Sequence, residues 1–195
     1  RLPLQGGETL VLGEEKELQR FWWQHNNQKF GQTLFLEVPV IAGLSSLHFL
    51  ALFARGAVRI MQLTDSSTEQ QLTAGDIRHA FFESKDLLQH TTVENLAAHL
   101  AAHAQRLLTT TWQPQEYRNR RYTIAQILHF LLQQTEKEST VTGPSCSTFG
   151  TIQCDQSLCT SCFSCLNVCK MNALSVRKED MGLLCNASYC TQCAA

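Results

Sequence analysis

Before Cys146 this 195-residue chain contains no cysteine. A secreted fold held by disulfides spreads its bridges through the structure, and a cysteine-free N-terminal region excludes that plan here. Charge of one sign is lacking too. Sixteen Lys and Arg face seventeen Asp and Glu, for a formal net charge of -1. Such a balance leaves no electrostatic footprint for nucleic acid or an anionic membrane surface. Long hydrophobic runs are absent. The longest uncharged stretch, Val38–Ala54, is shorter than the ~20 apolar residues of a membrane span and is broken by Pro39, Gly43 and His48. There is no phosphate loop, no dinucleotide glycine fingerprint, no nucleophile motif and no recognisable signal peptide. No catalytic site is legible.

What the chain does have is 44% hydrophobic residues, enough for an ordinary core, and nine cysteines that all fall from Cys146 onward. Clustered Cys-x-x-Cys spacings without a signal peptide indicate metal binding in a reducing compartment, here the cytoplasm. The chain begins at Arg1 and stops at Ala195 within a cysteine motif, so it is expected to be a fragment of a longer protein.

The pattern up to residue 135 predicts a small α/β layer with several helices. Thr9–Leu12 is a short apolar stretch. Glu14, Glu15 and Glu17 then suit a helix N-terminus, with Leu18, Phe21 and Trp22 as its apolar stripe and Asn26 and Asn27 at its end. Thr33–Val38 and Ala57–Leu63 read as strands. Between them Ser45 or Ser46 caps a helix carrying Leu47, Leu50, Ala51 and Ala54, and Gly56 stops it. Strand, helix, strand predicts a parallel βαβ unit with a right-handed crossover. Further helices are expected over Asp76–Leu88, from a capping box at Thr91 and Glu94 through Leu107, and over Thr123–Gln134, the last after a turn-like segment Trp112–Arg121. Residues 136–150 read as a polar linker, and residues 151–195 as a separate cysteine-rich module, so the expected class is α+β.

The module contains Cys159-x-x-Cys162-x-x-Cys165-x-x-x-Cys169. Soft thiolates packed this densely suit a cubane cluster, because short loops can wrap its corners. A shift of 31 residues places Cys154 on Cys185, Asp155 on Asn186, Ser157 on Ser188, Cys159 on Cys190, Thr160 on Thr191 and Cys162 on Cys193. The module is an internal duplication. A competing use of the same thiols is a Cys₄ zinc site from the knuckles Cys159/Cys162 and Cys190/Cys193, which would make the module a structural interaction unit without redox role. That reading leaves Cys165 and Cys169 without a task.

From about residue 151 onward the chain resembles a bacterial-type dicluster ferredoxin domain, a pseudo-twofold pair of short hairpins and helices around two [4Fe–4S] clusters. The resemblance implies that Cys159, Cys162 and Cys165 hold the first cluster, and that Cys169 joins Cys190 and Cys193 on the second. Each cluster's remaining ligand is expected beyond Ala195. Ala173 and Leu174 match the small-then-aliphatic pair that follows the fourth cysteine in the family. Lys170 departs from it, standing where proline is usual. Cys154 and Cys185 are expected as small buried hydrophobes, and Cys146 is assigned no role.

A second resemblance covers about thirty residues. Phe35–Leu63, with its Gly43-Leu44-Ser45 turn and Arg55-Gly56-Ala57, resembles the delta subunit of methyl-viologen-reducing hydrogenases. It implies docking to a redox partner such as a hydrogenase, a formate dehydrogenase or a heterodisulfide-reductase-like complex. The turns that can carry cluster cysteines in that family, Ala42–Ser46 and Thr64–Thr68, contain none here.

Two smaller constellations stand in the N-terminal region. His99 and His103 are four apart on an expected helix and could share a metal, but no matching acid or cysteine stands nearby and a solvated face explains them. Arg118, Arg120 and Arg121 could meet an acidic partner or be a solvated turn. The function expected is a non-catalytic electron-transfer component of an oxidoreductase complex.

Overall fold

The computed structural model describes residues 4, 6–26, 28–64, 87–101, 108, 110–113, 119–135, 149 and 152–193. Four strands, β1 (Thr9–Gly13), β2 (Thr33–Glu37), β3 (Arg59–Leu63) and β4 (Leu88–Thr91), form one sheet in the order β2-β1-β3-β4. Every pairing in it is parallel. The expected strands at Thr33–Val38 and Ala57–Leu63 are thus parallel, but they are not neighbours. The apolar stretch at Thr9–Leu12 is the central strand between them, Leu10 opposite both Leu34 and Ile60. A strand buried on both faces reads as a continuous apolar run, and all five residues of β1 are buried.

The alternation of side chains across β1 and β3 divides the core. Leu10, Leu12 and Ile60 pack against Phe49, Leu50 and Phe53 of helix α2 (Ser46–Ala54) and Ile124, Ile127 and Leu131 of helix α4 (Arg120–Thr135). On the opposite face Val11, Met61 and Leu63 meet Leu18 and Phe21 of α1 (Glu15–Gln24) and Val93 and Leu96 of α3 (Val93–Leu100). Helices therefore cover both faces of the sheet. Phe21, Phe49 and Phe53 are each wholly buried, and such a side chain contributes ~1.5–3 kcal/mol over an exposed one.

The ends of α2 follow local chemistry. Ser45 is its N-cap, and the Ser45 backbone N–H donates to His48 Nδ1 at 3.0 Å. At the other end Gly56 adopts φ +103°, Gly56 N–H donates to Phe53 O at 2.9 Å, and Ala57 N–H donates to Leu52 O at 3.1 Å. Those two bonds form a Schellman stop, and a Cβ at Gly56 would lie 2.7 Å from the Gly6 backbone.

Three expectations are corrected. The helix expected over Asp76–Leu88 does not include Leu88, which opens β4 and pairs with Ile60; residues 76–86 lie outside the described residues. Thr91 does not cap a helix. It is the last residue of β4, its hydroxyl lies 2.9 Å from His99 Nδ1, and Thr92 is the N-cap of α3. Helix α4 starts at Arg120 within the segment expected to be a turn, because the Asn119 side chain accepts the Tyr122 N–H at 2.8 Å.

The cysteine-rich segment carries a short helix α5 (Ser164–Val168) and an antiparallel pair, β5 (Leu174–Val176) and β6 (Leu183–Cys185). Its hairpin is closed by Arg177 N–H donating to Gly182 O at 2.8 Å, and by Asp180 Oδ1 accepting from Gly182 N–H at 2.9 Å and Arg177 Nε at 2.8 Å. Among the described residues no helix is long and apolar enough to cross a membrane. Apart from Phe149, the expected linker at 136–150 lies outside the described residues.

Candidate metal centre

The duplication seen in the sequence is repeated in the backbone. Asp155 Oδ1 accepts from Ser157 N–H at 2.9 Å and from the Ser157 hydroxyl at 2.6 Å. Thirty-one positions on, Asn186 Oδ1 accepts from Ser188 N–H at 3.1 Å and from the Ser188 hydroxyl at 2.6 Å. Each is an Asx turn, in which a short side chain replaces a backbone acceptor and bends the chain. Each turns the chain between two cysteines, Cys154 and Cys159 in the first copy, Cys185 and Cys190 in the second. Within the Cys-x-x-Cys units the third residue is left-handed in both copies, Ser161 and Gln192 each at φ 56°.

The six cysteines expected as ligands are exposed or half-buried: Cys159, Cys162, Cys165 and Cys193 are exposed, and Cys169 and Cys190 are half-buried. Their neighbours sort them. The Cys154 thiol is pushed above its ordinary range, first by hydrogen bonding with Cys159, then by burial and by the charges of Cys159, Cys165 and Asp155. Cys185 is also pushed up, first by burial and then by Cys190 and Cys169 beside it. Cys169 is joined on both sides, its N–H donating to Cys165 O at 3.2 Å within its own run and its Sγ accepting from Ala173 N–H, which belongs to the segment paired with the second copy. Strand pairing explains the placement: β6 brings Asn186 N–H to Ala173 O at 2.7 Å, and Ala173 N–H in turn points at Cys169 Sγ at 3.3 Å.

Cys162 has the opposite tendency. The hydroxyl and backbone N–H of Ser164, then the Thr160 hydroxyl, favour its thiolate and lower it to about 7. The donor set is thus rich in sulfur, partly ionisable near neutral pH and supplied with N–H groups, a chemistry that suits soft iron–sulfur units. Among the described residues no three His, Cys, Asp or Glu side chains form a group able to hold a single metal ion.

Cys154 and Cys185 correct the sequence reading. They were expected as buried hydrophobes, and both are exposed. The repeated pattern Cys-Asp/Asn-x-Ser-x-Cys was the signal that could have placed them beside the other thiols.

The α/β layer offers less. At the C-terminal ends of β1, β3 and β4 lies a cavity of about 410 Å³ whose polar lining includes Glu14, Glu17, Arg20, Thr64, Thr91 and Glu94. Glu14 accepts the Ile41 N–H at 3.2 Å, Arg20 pairs with Glu94, and Glu17 Oε2 is buried without a hydrogen-bond partner. Of the two histidines that could share a metal, His99 is engaged by Thr91, and His103 lies outside the described residues. Of the three arginines, Arg120 and Arg121 open α4 and the Arg121 guanidinium sits 5.6 Å from the Phe149 ring centre; Arg118 lies outside the described residues. The turn at Ala42–Ser46 holds a 3₁₀ turn, Ile41–Gly43, and the start of α2.

No family model matches the chain, and no curated protein or solved structure matches it either.

Proposed function

We propose that the C-terminal module holds two [4Fe–4S] clusters and relays single electrons to or from a redox enzyme, onto which the α/β layer docks. The observation that carries this reading is the company of Cys169. Ala173 N–H donates to its Sγ at 3.3 Å and Ala173 O accepts from Asn186 N–H at 2.7 Å, so the segment that follows Cys169 is joined to the second copy, in keeping with the exchange of one cysteine between halves that a two-cluster module with this spacing calls for.

On this reading Cys159, Cys162 and Cys165 belong to one site, and Cys169, Cys190 and Cys193 to the other. When bound, such clusters supply one-electron oxidation and reduction with little ligand rearrangement. The protein's own contribution is electrostatic. The N–H of Ala173 on Cys169 Sγ stabilises negative charge on sulfur, as does the Ser164 hydroxyl, 3.4 Å from Cys162 Sγ. The Lys170 side chain, exposed beside Cys169, adds a positive charge to the same neighbourhood. The partner is of the hydrogenase, formate dehydrogenase or heterodisulfide-reductase-like class, and the chain itself is a non-catalytic component.

The test is anaerobic expression followed by iron, zinc and acid-labile sulfide analysis. About eight iron and eight sulfide per chain are expected for two cubanes. Stoichiometric zinc without sulfide would replace electron transfer with a zinc-stabilised interaction module.

A further inference from the structure

We propose that the α/β layer binds a small organic anion in a cavity at the N-terminal rim of its sheet. The inference goes beyond electron transfer and stands independently of it, because every residue it uses belongs to the α/β layer.

The cavity has a volume of about 570 Å³, the size of an ordinary small-molecule site. A row across three strands lines it. Thr9 of β1 is the register partner of Thr33 on β2 and of Arg59 on β3, and all three border the cavity. Two residues further along the same strands, Phe35, Val11 and Met61 form the next row on that face, which packs with Phe21 and Leu96. One face of the sheet thus changes from apolar core to hydrogen-bonding side chains within two residues. Thr9 and Arg59 are nonetheless buried, with 6% and 8% of their surface exposed. A few buried polar groups converging on a cavity are what fixes the orientation of a bound small molecule.

Charge selects the ligand. Among the described residues that line the cavity, Lys29 and Arg59 are cationic and none is acidic. The cavity at the opposite ends of the strands has Glu14, Glu17 and Glu94 against Arg20 alone. A chain with a net charge of only -1 therefore sorts its charges between the two ends of the sheet. A guanidinium keeps its proton, and its planar fork offers paired N–H donors to two oxygens of a carboxylate or phosphate.

The rest of the wall is apolar, from Phe30, Ala97 and Leu100. It is held in place before any ligand arrives. The Phe30 ring centre lies 5.2 Å from that of the wholly buried Phe21, and Thr9 N–H donates to Gln32 O at 2.9 Å, tying Gln32 to β1. Such a preformed site spends little of its binding energy on ordering. The ligand that fits carries an oxyanion at one end and a flat or aliphatic body at the other.

The experiment uses the chain of residues 1–195 and isothermal titration calorimetry with phenyl phosphate, benzoate, inorganic phosphate and benzyl alcohol. Phenyl phosphate, benzoate or both should bind at a single site, and the tighter of the two identifies a phosphate ester or a carboxylate as the natural group. Inorganic phosphate lacks the apolar body and benzyl alcohol the charge, so each should bind at least about tenfold more weakly. Arg59→Gln should weaken the tighter anion about tenfold or more, the usual loss with a charge-assisted hydrogen bond. Replacing a buried arginine can also disturb the fold, and the exposed Lys29 supplies a second variant. Lys29→Glu should keep the urea midpoint of the unaltered chain and weaken the anion about threefold or more. No binding of either anion at millimolar concentration, benzyl alcohol binding as tightly as the anions, or an unchanged affinity in Lys29→Glu overturns the proposal. Arg59 and Lys29 would then serve only as complements to the carbonyl end of α3, where Leu100 and Ala101 also line the cavity.

Discussion

The rings of Tyr122 and Tyr189 face each other with centroids 6.3 Å apart and planes inclined by 35°. Tyr122 belongs to the first turn of α4, whose later residues Ile124, Ile127 and Leu131 are in the sheet's core. Tyr189 immediately precedes Cys190. One side chain thus ties the packed α/β layer to the backbone of the candidate metal centre. Aromatic pairs contribute ~0.5–1.5 kcal/mol beyond the area they bury. A double-mutant cycle with Tyr122→Ala and Tyr189→Ala, read by urea denaturation, should give a coupling energy in that range. Additive losses would show that the two rings do not stabilise each other.

Gly56 is the second point of sensitivity. Its φ of +103° and the 2.7 Å approach of a Cβ to the Gly6 backbone leave no room for a side chain. Gly56→Ala should destabilise the α/β layer by ~1–3 kcal/mol, the usual cost of forcing a side chain into that backbone region. The urea midpoint should fall with an unchanged slope. An unchanged midpoint would mean that the Schellman stop relaxes without loss.

Asp180 makes the hairpin of the cysteine module pH-dependent. Its hydrogen bond with Arg177 is the largest of the influences that hold the carboxyl below the usual aspartate range of ~3.9. A carboxyl depressed in the folded state stabilises that state above its unfolded pKa and ceases to do so as pH falls through the folded value. Hairpin amide shifts followed by NMR should therefore hold steady from neutral pH to about 4 and change only below it. Asp180→Asn should remove that acid transition, and its persistence in the variant would assign it to another group.

Lys170 tests the electron-transfer proposal. A positive charge near a cluster favours the reduced, more negative state. Lys170→Ala should lower a reduction potential measured by spectroelectrochemistry. The charge is exposed and solvent screens it, so the fall should be less than the ~59 mV that a tenfold change in a one-electron equilibrium represents. A rise in potential would contradict the electrostatic argument.

Local chemistry was legible in the residues alone. Ser45 and Gly56 bracket α2 because a cap and a left-handed stop act within one turn of chain. The parallel character of β2 and β3 followed from a helix too long to be a hairpin between them. The cysteine spacings and the 31-residue repeat needed no fold to be seen, since spacing along the chain limits which thiols can share a loop.

Tertiary structure decided the rest. Leu88–Thr91 has no strong strand pattern of its own, and it becomes β4 because β3 presents an unpaired parallel edge to it. The central position of β1 depends on two partners distant in sequence, Thr33–Glu37 and Arg59–Leu63. Cys169 bonds Cys165 O through its own N–H one helical turn away, and the segment after it is also joined to the second copy, because the β5–β6 pairing draws Ala173 to Asn186. Motif spacing records which thiols are close along the chain, and only backbone hydrogen bonds between remote segments determine which are close in space.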